Sequence, residues 1–121
     1  MYNFEKLEIY QDARALVGEV YKITEKYPAK EQFVLTSQIR RAVLSVPLNI
    51  AEGSIKGKKE FAHFIDISIG SLLELVALFQ ISRDLNYISE EEYNKFSDVL
   101  EKLSRRLSKL KSYLKQKPYE P

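Results

Sequence analysis

The chain has 121 residues, of which 45% are hydrophobic and 30% charged, and carries a net charge of +2. That is one globular domain, spanning 1–121, able to bury a core without metal or disulfide help. Four glycines and four prolines are too few for a sandwich or barrel, and a chain with no cysteine and one histidine has no disulfide, thiol nucleophile, zinc-thiolate site or site needing two of its own imidazoles.

The hydrophobic pattern predicts four helices. In the first, from about Lys6 to Tyr27, Ile9, Ala13, Leu16, Val20, Ile23 and Tyr27 recur at steps of four and three, and Pro28 stops it. The second runs from about Glu31 to Ser54 with the stripe Leu35, Ile39, Ala42, Val46, Ile50. Pro47 lies inside it, so a kink is expected near Val43 to Pro47, with Gly53 and Gly57 supplying the stop and the turn.

The third, from about Lys58 to Asn86, has one seam in Phe61, Ile65, Ser68, Leu72, Leu75 and Phe79. Further apolar residues lie off that seam: Phe64, Ile67, Ile69, Leu73, Val76, Leu78 and Ile81. A helix apolar nearly all round is buried on more than one side. One bundle covers only part of each helix, so a second partner surface, and hence a homo-oligomer, is expected. Deep packing within one chain is the competing reading.

The fourth runs from about Glu90 to Lys115. Ser89 and Glu92 have the spacing of a capping box, and Tyr93, Phe96, Leu100, Leu103, Leu107, Leu110 and Leu114 alternate steps of three and four. Short loops between long helices make an all-α, antiparallel up-down-up-down four-helix bundle the economical topology. No apolar run follows a basic N-terminus, and Phe61 to Ile81 is interrupted by His63, Asp66, Glu74 and Gln80. A cytoplasmic protein with no signal peptide and no membrane partner is therefore expected.

Charge is uneven. From residue 101 onward seven basic residues (Lys102, Arg105, Arg106, Lys109, Lys111, Lys115, Lys117) face two acids, so residues 1–100 are net acidic. A basic C-terminal segment can bind anions, or can be a solvated face that suits the helix dipole. Lys56, Lys58 and Lys59 follow Gly53 near the predicted second turn; the stretch lacks phosphate-loop spacing but could meet a phosphate backbone.

The second helix is richest in polar information. Arg41, Ser45, Asn49 and Glu52 share one face at steps of four, four and three, and Glu74 on the third helix is a candidate partner. This strip fixes helix register or lines a subunit contact; Arg40 and Arg41 serve equally as phosphate forks. Glu60 and His63 form a Glu-x-x-His pair, but a carboxylate-bridged two-metal site needs two such pairs. No metal, no cofactor and no catalytic residue is expected, and nothing marks a nucleophile elbow or oxyanion hole. The expectation is of no enzyme.

The run Phe33-Val34-Leu35-Thr36-Ser37-Gln38-Ile39-Arg40-Arg41-Ala42, continuing through Ser45-Val46-Pro47 and Asn49-Ile50-Ala51-Glu52-Gly53, resembles the signature of the bacterial 23S rRNA-intervening sequence proteins, also called four helix bundle proteins. Glu60-Phe61, Phe64, Gly70-Ser71-Leu72, Glu74, the opening Leu7-Glu8-Ile9-Tyr10 and Leu85-Asn86-Tyr87-Ile88-Ser89 match as well. Val34, Tyr10 and Val76 depart from the family's usual Gly, Trp and acid. The resemblance implies an antiparallel bundle assembled as a homopentamer. The family is also similar to the accessory variability determinant of diversity-generating retroelements, which binds nucleic acid and a reverse transcriptase.

Two functions follow. One is a non-enzymatic oligomer binding the RNA or DNA backbone through Arg40, Arg41, Lys56, Lys58, Lys59, Lys102, Arg105, Arg106 and Lys109, with little base specificity because most aromatics fall on seams. The other is a structural module recruiting a protein partner, with no nucleic-acid role.

Overall fold

A computed structural model describes Phe4 and residues 7–116. Four helices account for most of them: α1 (Glu8–Thr24), α2 (Leu35–Ser54), α3 (Lys58–Asp84) and α4 (Glu90–Lys115), with a short 3₁₀ turn at Ala29–Glu31 and no strand among the described residues. Each end has a local cause. Thr24 turns its hydroxyl back to the Val20 carbonyl at 2.8 Å, and α1 stops there rather than at Tyr27. Asn86, at φ 63°, terminates the turn after α3 in the left-handed region that asparagine tolerates better than most residues. At the start of α4 the Glu92 amide donates to Ser89 Oγ at 3.0 Å and the Ser89 amide donates to the Glu92 carboxylate at 2.9 Å. That reciprocal cap is worth about 1 kcal/mol.

Cross-helix contacts fix the directions. Asp12 pairs with Arg106 and Lys26 with Glu92, so α1 and α4 run opposite ways. Asp66 pairs with Lys111 and Arg83 with Glu90, so α3 and α4 do too. Ser45 meets Ser71 and Val46 meets Ser68, which sets α2 against α3. The result is an antiparallel up-down-up-down four-helix bundle. Sequential helices pack most closely, and the α1–α4 seam that closes the bundle is the loosest.

The core is the set of residues that share the inward seams. Leu16, Val20, Ile39, Val43, Val46, Ile50, Ile65, Leu72, Leu75, Phe79, Leu100 and Leu107 are essentially inaccessible to solvent. Phe79 stacks on Phe96 with ring centroids 4.9 Å apart. Phe61 and Leu110, placed on the seams by spacing, are only half-buried.

One expectation about α2 needs revision. The helix runs on through Pro47 to Ser54. Gly53 is not a left-handed stop, since no glycine has positive φ; it lies inside α2, where an added Cβ would sit 2.6 Å from Phe64 Cβ and 2.9 Å from Phe61 Cδ1. Its missing side chain lets α2 and α3 close together near their connection. Gly57 instead caps the N-terminus of α3 with extended backbone.

By length and composition α3 is apolar enough to cross a membrane. In this fold it packs against both α2 and α4 yet keeps an uncovered apolar face. Ile67, Gly70, Glu74, Ala77 and Ile81, at steps of three and four, all face solvent, and Leu73 beside them is 62% exposed. The alternating spacing is that of a second packing seam with no partner in this chain.

Candidate nucleic-acid interface

The α2–α3 connection and the C-terminal half of α4 lie at the same end of the bundle. Two lysine groups separated by half the sequence are thereby brought together. The Lys58 ammonium sits 5.8 Å from the centroid of the Tyr113 ring, and Lys59 and Lys115 line one shallow hollow with Glu60, His63 and Asp66. Lys56, Lys58, Lys59, Lys109 and Lys115 are exposed. Lys111 donates to Asp66 at 2.7 Å. That hydrogen bond, with further attraction from Lys111, Lys115 and His63, outweighs a small desolvation penalty and holds the Asp66 carboxyl below the ordinary carboxylate range. Asp66 therefore stays ionised and offsets one cation of this pole.

The remaining basic candidates separate. Lys102 pairs with Asp98 one turn away, Arg105 with Glu101, and Arg106 reaches across to Asp12 on α1. Arg105 faces the α3–α4 groove while Arg106 faces α1, so the two adjacent arginines serve opposite sides. Exposed pairs of this kind are worth little and exchange readily with an external anion.

Arg40 stands apart. Its Nε donates to Thr24 Oγ1 at 3.0 Å, a terminal nitrogen approaches the Tyr21 carbonyl at 3.4 Å, and the guanidinium lies 4.4 Å from the Tyr21 ring centroid. It ties α2 to the C-terminal end of α1, at the pole opposite the lysines. Arg41 is exposed and has no ion pair within the described residues.

The polar strip of α2 is a network with α3. Asn49 Nδ2 lies 2.7 Å from the Ser45 carbonyl and 2.9 Å from Ser45 Oγ; Ser45 and Ser71 hydroxyls are 2.8 Å apart; Ser71 Oγ lies 3.1 Å from the Ile67 carbonyl. Four protons serve these four contacts if Asn49 donates two, Ser45 one to Ser71, and Ser71 one to Ile67. Ser71 carries this network, yet spacing on α2 alone gives no hint of it. Arg41 and Glu74 line the adjoining hollow with Gln38 without forming an ion pair, and Glu52 is exposed. Among the described residues no three His, Asp or Glu side chains are placed to share a metal ion.

At the opposite pole the Tyr87 hydroxyl donates to Glu31 at 2.8 Å, and that hydrogen bond, helped by desolvation and by the Glu31 charge, raises the Tyr87 pKa. Tyr27 packs its ring 5.3 Å from that of Tyr87. The Tyr27 hydroxyl is buried and forms no hydrogen bond of normal geometry, and burial pushes its pKa up against a weaker opposing influence from nearby Ser82.

The model of the 23S rRNA-intervening sequence protein matches residues 5–109. The chain belongs to that family. The match takes in all of α1, α2 and α3 and most of α4, so both the Ser45–Asn49–Ser71 network and the α2–α3 lysines lie within the family region. A solved protein of unknown function from the S23 ribosomal protein family of Bacteroides thetaiotaomicron superposes with a TM-score of 0.79 over 86% of this chain and 95% of that one. The two are 16% identical, a likeness of fold. No functionally curated protein matches the chain in sequence. For this family member the lysine pole extends past the matched residues, through Lys111, Tyr113 and Lys115.

Proposed function

We propose that the protein is a non-enzymatic oligomer that binds the phosphate backbone of nucleic acid at its lysine pole. The observation that carries this reading is the meeting of Lys58 and Lys59 with Tyr113 and Lys115 at one end of the bundle. Neither cluster alone is unusual; together they present exposed Lys56, Lys58, Lys59, Lys109 and Lys115 against Glu60 and an Asp66 already paired with Lys111. Ammonium groups without fixed partners recognise phosphates as point charges, independent of base sequence. Membership of a family named for an insertion in ribosomal RNA supports the choice of nucleic acid over other polyanions.

The open seam on α3 supports the oligomeric part of this reading. Ile67, Gly70, Ala77 and Ile81 offer a shallow apolar stripe, with the Arg41–Glu74 hollow beside it supplying groups that can pair across a symmetric contact. Copies docked there repeat the lysine pole around an axis and raise avidity without any new contact to the ligand. The resemblance noted above favours a homopentamer.

Fluorescence anisotropy with labelled RNA and duplex DNA at two salt concentrations tests the reading. Affinity falls steeply with salt, and reversing Lys58, Lys59 and Lys115 to Glu abolishes most of the binding, whereas Arg40→Ala in a folded chain leaves it intact. No binding at low salt would refute the nucleic-acid role and leave recruitment of a protein partner through α3 as the surviving function. Sedimentation tests assembly independently: a 14.1 kDa species at high concentration would refute it.

A further inference from the structure

Beside the lysine pole, an open groove of about 830 Å³ lies between α3 and α4. Its floor is apolar, from Leu72, Leu73 and Val76. Its α4 wall carries Ser97, Ser104, Ser108 and Ser112, at steps of seven, four and four, on one helix face. Ser54, Ser71 and Ser82 bond back to their own helices, as mid-helix serines commonly do. The four groove serines form no hydrogen bond with any described residue, so their hydroxyls are free to donate and accept. Tyr113 stands at the lysine end of the groove, 61% exposed, with Lys58 near its ring.

We infer that this groove is a track for single-stranded nucleic acid, with Tyr113 as a base-stacking platform. The inference rests on the nucleic-acid reading above and names the class of strand. A duplex keeps its base faces inside its own stack, so only an unpaired base can lie on an exposed tyrosine ring. Apolar Leu73 and Val76 suit the faces of further bases. Hydroxyls that can both donate and accept suit any base edge or a ribose hydroxyl, which gives contact without sequence choice. Arg105 and Lys109 line the same groove and supply charge complementary to a backbone. Lys109 has no ion-pair partner among the described residues, and the Arg105–Glu101 pair is an exposed one along the helix that a phosphate can replace. From Ser97 to Gln116 the wall runs roughly 28 Å at 1.5 Å per residue, long enough for several nucleotides of an extended strand.

The test is anisotropy of the full chain with a labelled twelve-nucleotide oligouridylate and a labelled twelve-base-pair duplex, in wild type, Tyr113→Ala, Tyr113→Phe and Ser108→Glu. Loss of one stacked base weakens binding by at least about fivefold. Tyr113→Ala is therefore expected to lose that much on the single strand and distinctly less on the duplex, whose binding rests on the lysines. Tyr113→Phe, which keeps the ring, is expected to bind as wild type, and Ser108→Glu, whose added charge also opposes the lysine pole, to weaken the single strand more than the duplex. Tyr113 is exposed enough that circular dichroism melts of Tyr113→Ala should match wild type. If Tyr113→Ala leaves single-strand binding unchanged, or weakens both probes alike, the groove is not the track, while the lysine pole still binds. If wild type binds neither probe at low salt, the nucleic-acid reading falls and this inference with it.

Discussion

Ser68 Oγ donates a 2.9 Å hydrogen bond to the Val46 carbonyl, tying α3 to α2 one residue before Pro47. Pro47 has no amide to offer, so the Val43 carbonyl one turn earlier loses its helical donor and α2 is weakest here. The buried serine reinforces that stretch from across the interface, while Asn49 and Ser45 satisfy groups on its outer side. Ser68→Ala is expected to cost about 0.5–1.5 kcal/mol, the net worth of one hydrogen bond. Ser68→Val adds volume to a site with no solvent exposure and costs about 1–3 kcal/mol. Chemical denaturation of both variants measures the two values, and a neutral Ser68→Ala would show that the contact contributes nothing to stability.

The glycines within helices have opposite meanings. An alanine Cβ at Gly53 meets the Phe64 and Phe61 side chains closer than van der Waals contact, and the nearest of these atoms is a Cβ fixed to the α3 backbone. Gly53→Ala should lose about 1–3 kcal/mol. At Gly70 and Gly18 an added Cβ meets nothing within 4 Å. Each should gain up to about 1 kcal/mol from helix propensity alone. The difference between the two lies in assembly. Gly70 is on the open α3 seam and Gly18 is on α1, so Gly70→Ala should weaken self-association in sedimentation while Gly18→Ala leaves it unchanged. Equal behaviour of the two would remove Gly70 from the subunit contact.

The bundle is legible in the sequence because its cause is local and periodic. The α4 seam and its Ser89 cap depend on residues three or four apart, and the structure keeps both. The second apolar side of α3 is legible for the same reason. What sequence spacing misses depends on which helices become neighbours. Nothing on α2 points to Ser71, and nothing near Lys58 points to Tyr113, because each pair is separated by tens of residues and joined only by packing. The kinship of Arg40 and Arg41 in the sequence is likewise misleading: adjacent residues on a helix point about 100° apart, and one faces α1 while the other faces solvent. Gly53 read as a stop fails because a glycine's missing Cβ matters here for closeness rather than for backbone freedom.

Arg40 should behave as a stability residue. Its half-buried guanidinium makes a hydrogen bond to Thr24, approaches the Tyr21 carbonyl and stacks on the Tyr21 ring, and Thr24 needs that donor because its own proton is directed to backbone. Arg40→Ala is expected to cost about 1–2 kcal/mol through the lost charged hydrogen bond and cation–π contact. Arg40→Lys recovers only part, since an ammonium cannot bond and stack in the same plane. Denaturation melts check the loss, and nucleic-acid affinity measured on the folded variant should be unchanged. A drop in affinity with no change in melting would place Arg40 in the binding surface instead.

Acid sensitivity should trace to Glu92 and Asp66. The Lys26 ammonium, which also bridges α1 to α4, is the main influence that lowers the Glu92 pKa, and the Ser89 amide adds to it. Lys111 does the same for Asp66 between α4 and α3. A carboxyl depressed in the folded state takes up a proton more readily when unfolded. Its stabilisation is therefore complete above the ordinary carboxylate range and is lost as pH falls through the depressed folded value. Both pairs are partly exposed, so salt screens them and their share at neutral pH is small. Thermal melts from pH 7 down to pH 3 should show the midpoint falling through that range. Glu92→Gln should lower the neutral-pH midpoint and flatten the acid limb, because the variant has already lost what protonation removes, and it does so at the loosest seam of the bundle. Asp66→Asn should flatten it less, since it anchors helices that already pack closely. An acid limb in Glu92→Gln as steep as in wild type would assign the acid sensitivity to other carboxylates.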